Sequence, residues 1–139
     1  MFLDDILIYA KTLDEHNRLL KEVLQRLRDN ALYAKPSKCE FAVQETKFLG
    51  HTITPEGMRP SHDKLKAIKE WETPTSLTAT RSFVGFVSFY RCYIQGFGKI
   101  CCPLYNLTKK GKVFHWTSDC EVAFQELKTA MMNPFVLKL

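Results

Sequence analysis

Phe2-Leu3-Asp4-Asp5-Ile6-Leu7-Ile8-Tyr9 sets two adjacent carboxylates inside an otherwise apolar, β-branched run. A strand–turn–strand hairpin accounts for that arrangement. Phe2-Leu3 and Ile6-Leu7-Ile8-Tyr9 read as short buried strands, with Asp4 and Asp5 as the tight turn between them. Two carboxylates fixed at a hairpin tip supply the hard oxygen donors that a divalent cation such as magnesium prefers, and such an ion can bridge phosphates. The plainer reading is a surface Asp-Asp turn, because aspartate is a common turn residue.

Composition narrows the alternatives. At 139 residues with 45% hydrophobic side chains the chain can build a core, so it does not read as disordered. No run approaches the ~20 apolar residues of a membrane span, and Met1 leads into the aspartates without a signal-peptide pattern, so the expectation is an intracellular protein with no membrane partner. Cys39, Cys92, Cys101, Cys102 and Cys120 are odd in number and lack a Cys-x-x-Cys pair, which fits a reducing compartment. The four histidines, His16, His51, His62 and His115, show no zinc-ligand spacing and read as surface or packing residues.

Charge is uneven. The net charge is +5, but from Thr73 to Trp116 there is no Asp or Glu, while Arg81, Arg91, Lys99, Lys109, Lys110 and Lys112 all fall there. Phe83, Phe86, Phe89, Tyr90, Tyr93, Phe97 and Tyr105 are interleaved with them. A one-sign, aromatic-rich segment suits nucleic acid, where cations neutralise phosphates. The competing reading is a core of aromatics beneath merely solvated lysines.

Along the chain, Thr12-Leu13-Asp14-Glu15 has the form of a capping box and opens a helix over about Leu13–Asp29, stopped at Asn30. Lys35-Pro36-Ser37-Lys38 predicts a turn, followed by a short strand with Cys39, Phe41 and Val43 on one side. Lys47–Thr54 reads as one strand that turns through Pro55-Glu56-Gly57 toward Met58-Arg59. Ser61 can cap a helix carrying Leu65, Ile68 and Trp71 and ended by Pro74. A helix over about Thr78–Tyr93 should bury Phe83, Val84, Val87 and Tyr90. Gly96 and Gly98 break the chain before a shorter helix with Ile100, Leu104 and Leu107. Ser118 with Glu121 forms a second capping box, opening a helix that buries Cys120, Ala123, Phe124, Leu127, Ala130 and Met131. Short amphipathic helices cannot bury their stripes alone, so these should pack as a bundle.

The aspartate pair resembles the second carboxylate motif of reverse transcriptases, and the rest of the chain continues as the gypsy-class long-terminal-repeat retrotransposons do. The resemblance rests on Lys35-Pro36-Ser37-Lys38-Cys39-Glu40-Phe41, Lys47-Phe48-Leu49-Gly50-His51, Glu56-Gly57-Met58-Arg59-Pro60, Arg81-Ser82-Phe83-Val84-Gly85, Phe89-Tyr90-Arg91-Cys92-Tyr93-Ile94, Pro103-Leu104 and the Cys120–Lys128 block, in that order. It covers essentially the whole sequence. Phe2 stands where many relatives have tyrosine, and Cys92 where the family is often basic.

The resemblance implies an α+β fold: remnant palm β-hairpins with one packing helix over residues 1–60, then a small helical thumb bundle over 61–139, ending before ribonuclease H. The family's third carboxylate and its nucleotide-holding fingers would lie upstream of Met1. By resemblance, Asp4 and Asp5 are the catalytic residues and hold magnesium. Phe48, Leu49, Gly50 and His51 form the primer grip, and Arg81 and Arg91 meet backbone phosphates. The implied partners are an RNA/DNA primer–template duplex and the remainder of the Pol polyprotein, in the cytoplasm, in virus-like particles or in the nucleus. A non-catalytic nucleic-acid-binding module remains open beside the polymerase reading. A protein-interaction bundle fits the acid-free segment poorly.

Overall fold

The computed structural model describes residues 5–133. Within that span, six α-helices and one three-stranded antiparallel sheet form the mixed architecture expected. Phe2, Leu3, Asp4 and the segment Phe135–Leu139 lie outside the described residues.

Helix α1 (Leu13–Asp29) begins where its capping box predicts: the Thr12 hydroxyl accepts from the Glu15 backbone N–H, and Asn30 closes the other end. Its leucines recur at helical spacing, yet none is buried, and Leu13 and Leu24 are exposed. The stripe of Leu19, Leu20, Val23 and Leu27 is only half-buried.

Two expected strands are not formed. Ile6–Tyr9 has no strand pairing, because a strand needs a ladder for its N–H and C=O groups and no described segment supplies one. Cys39–Val43 is irregular. Its alternation suggested a strand, but Ala42 sits at φ 53°, in the left-handed region, and the Cys39 N–H turns back to the Pro36 carbonyl. Only a 3-10 turn at Pro36–Lys38 is regular there.

The sheet is a meander of β1 (Thr46–Phe48), β2 (His51–Thr54) and β3 (Gly57–Pro60), with Phe48 opposite His51 and Thr54 opposite Gly57. The single strand expected over Lys47–Thr54 is therefore two strands. Leu49 and Gly50 both have positive φ, 48° and 81°, and make a two-residue hairpin loop. That pattern is the type I′ signature, whose twist matches the flanking strands. Pro55 and Glu56 close the second hairpin as expected, with Gly57 at φ 135°.

The remaining helices are α2 (His62–Lys69), α3 (Leu77–Phe89), α4 (Phe97–Ile100), α5 (Cys102–Leu107) and α6 (Ser118–Met132). Helix α2 stops short of Trp71, and α3 gives way at Tyr90 to a 3-10 turn at Arg91–Tyr93. The short helix expected after Gly96 is two pieces that meet at Cys101. On α6 the cap is Thr117 rather than Ser118, and the Glu121 carboxylate is taken by the Trp116 indole N–H at 2.9 Å instead of closing the box.

Periodicity located the core well. Ile68, Phe83, Val87, Cys101, Leu104, Leu127 and Met131 are wholly buried in one cluster, where the rings of Phe83 and Phe124 lie 4.7 Å apart. Burying a side chain of this size contributes about 1.5–3 kcal/mol, which is what holds the helical half together. Lys128 Nζ donates to the Trp71 carbonyl at 2.7 Å and lies over the Phe124 ring, tying α6 to the segment after α2. Burial pushes the Cys101 thiol up to about 11, so it packs as a small hydrophobe.

Candidate functional site

The hairpin loop of β1 and β2 does not stand free. It is held by the end of α3 through two hydroxyl groups. Tyr90 Oη donates to the Gly50 carbonyl at 3.2 Å, and Tyr93 Oη is 2.9 Å from His51 Nδ1. The Gly50 carbonyl also accepts from the Ser61 backbone N–H at 3.2 Å, so the turn, the end of β3 and the end of α3 meet at one oxygen.

Aromatic rings close around the imidazole. Phe89 stacks on His51 with centroids 5.4 Å apart and planes 15° apart, Tyr90 meets it edge-on at 5.5 Å, and Tyr93 lies 5.6 Å away. Tyr90 and Tyr93 are buried by this arrangement, whereas Phe89 keeps 55% of its surface exposed. A glycine is required at position 50 for two reasons. Its φ is in the left-handed region, and a Cβ there would lie 3.1 Å from Tyr90 Oη. Leu49 has no such excuse. A leucine held at positive φ costs about 1–2 kcal/mol, and only the surrounding contacts keep it there.

Burial lowers the His51 pKa from its ordinary value of 6.5, because the imidazolium is harder to accommodate among the rings than the neutral ring. The folded chain thus binds that proton less readily than the unfolded chain. The contribution of His51 to stability should be complete above about pH 6.5 and be lost as pH falls through the lower folded-state value. Thermal melts of wild type and His51→Asn between pH 5 and 8 check this: the difference between them should shrink at the acid end.

Comparison with known proteins places this geometry. Residues 1–53 match the family model described as reverse transcriptase (RNA-dependent DNA polymerase). The Transposon Tf2-3 polyprotein of Schizosaccharomyces pombe is 33% identical over 137 residues, which is 99% of this chain and 10% of the polyprotein. A foamy viral protease-reverse transcriptase solved with double-stranded DNA superposes on 94% of the chain with a TM-score of 0.78 at 26% identity, covering 23% of that protein. The same viral protein with an RNA/DNA hybrid gives 0.77 over 94% of the chain and 18% of that protein.

The chain is similar to a reverse-transcriptase segment of a retrotransposon polyprotein. It spans only a small part of the proteins it matches.

Within this segment, the expected site residues fall into separate groups. Phe48, Leu49, Gly50 and His51 are brought together by the hairpin and fastened to α3. Asp4 lies outside the described residues, and Asp5 is exposed in irregular chain just before α1. No hydrogen bond or ion pair among the described residues joins Asp5 to the hairpin. Aspartate oxygens suit a hard divalent cation. Among the described residues, which do not include Asp4, no three His, Cys, Asp or Glu side chains are grouped as a cation site.

Arg81 and Arg91 are both exposed, on α3 and on the 3-10 turn after it, as are Lys99, Lys109, Lys110 and Lys112. Arg81 is partly committed: its guanidinium donates to the Thr108 carbonyl at 3.3 Å, capping α5 beside Lys109 and Lys110. A guanidinium carries five N–H donors, so one such bond leaves others for a phosphate.

Sequence reading missed the clamp. The sequence puts Tyr90 on the buried stripe of the helix and Phe89 and Tyr93 among the interleaved aromatics, with nothing linking them to the hairpin. The signal was their spacing: two tyrosines three residues apart present hydroxyls on one face, where phenylalanine would have served a purely apolar role.

Proposed function

We propose that this chain is the end of the palm (residues 1–60) and the thumb (residues 61–139) of an RNA-directed DNA polymerase from a gypsy-class long-terminal-repeat retrotransposon, and that it acts on a primer–template duplex as part of a longer Pol polyprotein. The observation that carries the proposal is the match of 94% of the chain, at 26% identity, to a viral reverse transcriptase whose structures hold double-stranded DNA and an RNA/DNA hybrid. The clamped hairpin supports a primer-holding role for Phe48–His51, because a loop fastened at consecutive residues offers a ligand one conformation. Arg81 and Arg91, on an exposed acid-free segment, are the phosphate contacts.

Asp4 and Asp5 are the magnesium ligands of this reading, completed by a carboxylate supplied from elsewhere in the polyprotein. Bound there, the metal would supply charge stabilisation for phosphoryl transfer. In this reading the enzyme works in the cytoplasm, in virus-like particles or in the nucleus.

Primer extension tests it. The 139-residue chain alone should not extend a labelled primer in magnesium, whereas the longer reverse transcriptase carrying this segment should. In that enzyme Asp5→Asn should lower extension at least ~100-fold, the scale on which losing one transition-state stabiliser is felt. Unchanged extension by Asp5→Asn would remove the metal-binding assignment. A segment that binds duplex but supports no extension even when joined to the rest of the enzyme would make it a non-catalytic binding module.

A further inference from the structure

The turn at Leu49-Gly50 is held from the end of α3 as well as by its own glycine. Leu49 sits at positive φ without the short polar side chain that favours that region, so the loop alone does not select this geometry. Two hydroxyls help to hold it, that of Tyr90 at the end of α3 on the Gly50 carbonyl and that of Tyr93, in the 3-10 turn that follows, on the His51 imidazole. Phenylalanine at 90 and 93 would fill the same volume. The hydroxyls therefore add direction rather than bulk.

We propose that Tyr90 and Tyr93 are positioning residues, which orient the Leu49-Gly50 turn from α3 so that a shift of the helical bundle is transmitted to the primer's 3′ end. This rests on the reading of the hairpin as the primer-holding element. Three features support the coupling. Gly50 lacks the Cβ that would push Tyr90 away. His51 is packed on three sides by rings of the same helix end. Ser61, the residue that leads into α2, also donates to the Gly50 carbonyl, so the turn is fixed from both sides of the junction.

The test uses the full reverse transcriptase carrying this segment, with Tyr93→Phe and Tyr90→Phe. Each removes a hydroxyl and keeps the ring. Extension from a recessed 3′ end should fall about tenfold in kcat, while duplex affinity stays within about twofold. His51→Asn, which keeps a polar atom close to the place of Nδ1, should retain more activity than His51→Phe. Gly50→Ala is the control for the underlying reading. If it lowers extension and Tyr93→Phe does not, the positioning role falls and the primer-holding hairpin stands. If neither lowers it, both fall. A Tyr93→Phe variant that loses duplex affinity and thermal stability in proportion to kcat would reduce the tyrosine to a packing residue and overturn the proposal.

Discussion

Phe83→Ala should cost about 3–5 kcal/mol of stability, because it removes a whole ring from the centre of the core and leaves a cavity that the surrounding helices cannot fill. Phe83 is fully buried, packs 4.7 Å from Phe124 and meets Trp71 edge-on at 5.7 Å, so α3, α6 and the segment after α2 lose contact at once. A loss of that size is a large share of the 5–15 kcal/mol that a whole domain commonly has. Chemical denaturation followed by tryptophan fluorescence would measure it directly, since Trp71 and Trp116 both border the same cluster. Val122→Ala on the exposed side of α6 should change stability by less than about 0.5 kcal/mol and serves as the comparison. Equal effects at the two positions would mean that the core is not where the periodicity and the structure put it.

Duplex binding by the helical half should depend steeply on salt. Each phosphate neutralised by a lysine or arginine releases condensed counterions, so about 3–5 contacts give a slope of roughly −3 to −4 in log affinity against log salt. Between 50 and 200 mM salt that amounts to about a 60- to 250-fold loss. The exposed cations at Arg81, Arg91, Lys99, Lys109, Lys110 and Lys112 provide the charges, with no Asp or Glu between Thr73 and Trp116 to oppose them. Arg91→Ala should make the slope shallower by about one unit and weaken binding similarly for every duplex sequence. Arg81→Ala should additionally destabilise the chain slightly, because its guanidinium also caps α5. Binding that is insensitive to salt would argue against this face.

How much of this was legible in the sequence depended on whether the deciding interaction was local. The α1 boundaries were readable because Thr12 and Glu15 form the cap within one turn. The buried stripes of α3 and α6 were readable because helical spacing sorts residues by face without reference to a partner. Strands were harder. Ile6–Tyr9 and Cys39–Val43 have strand-like composition, but a strand exists only where another backbone pairs with it, and that is not a local property.

The Leu49-Gly50 turn was missed for a related reason. Leucine is a poor sign of a type I′ loop, so Lys47–Thr54 reads as continuous, and the tyrosines that fasten the reversal lie forty or more residues away. For the candidate site, the family resemblance supplied residues 48–51. It gave no indication that α3 holds them.

Seen as a target of mutation, that two-residue loop is constrained in opposite senses at adjacent positions. At 50 a side chain would be strained by the left-handed φ, and its Cβ would crowd the Tyr90 hydroxyl. At 49 the backbone would welcome asparagine or glycine, and leucine persists against that preference. Improvements in folding are therefore available at 49 and foreclosed at 50, so the two halves of one turn offer sharply unequal room for sequence drift.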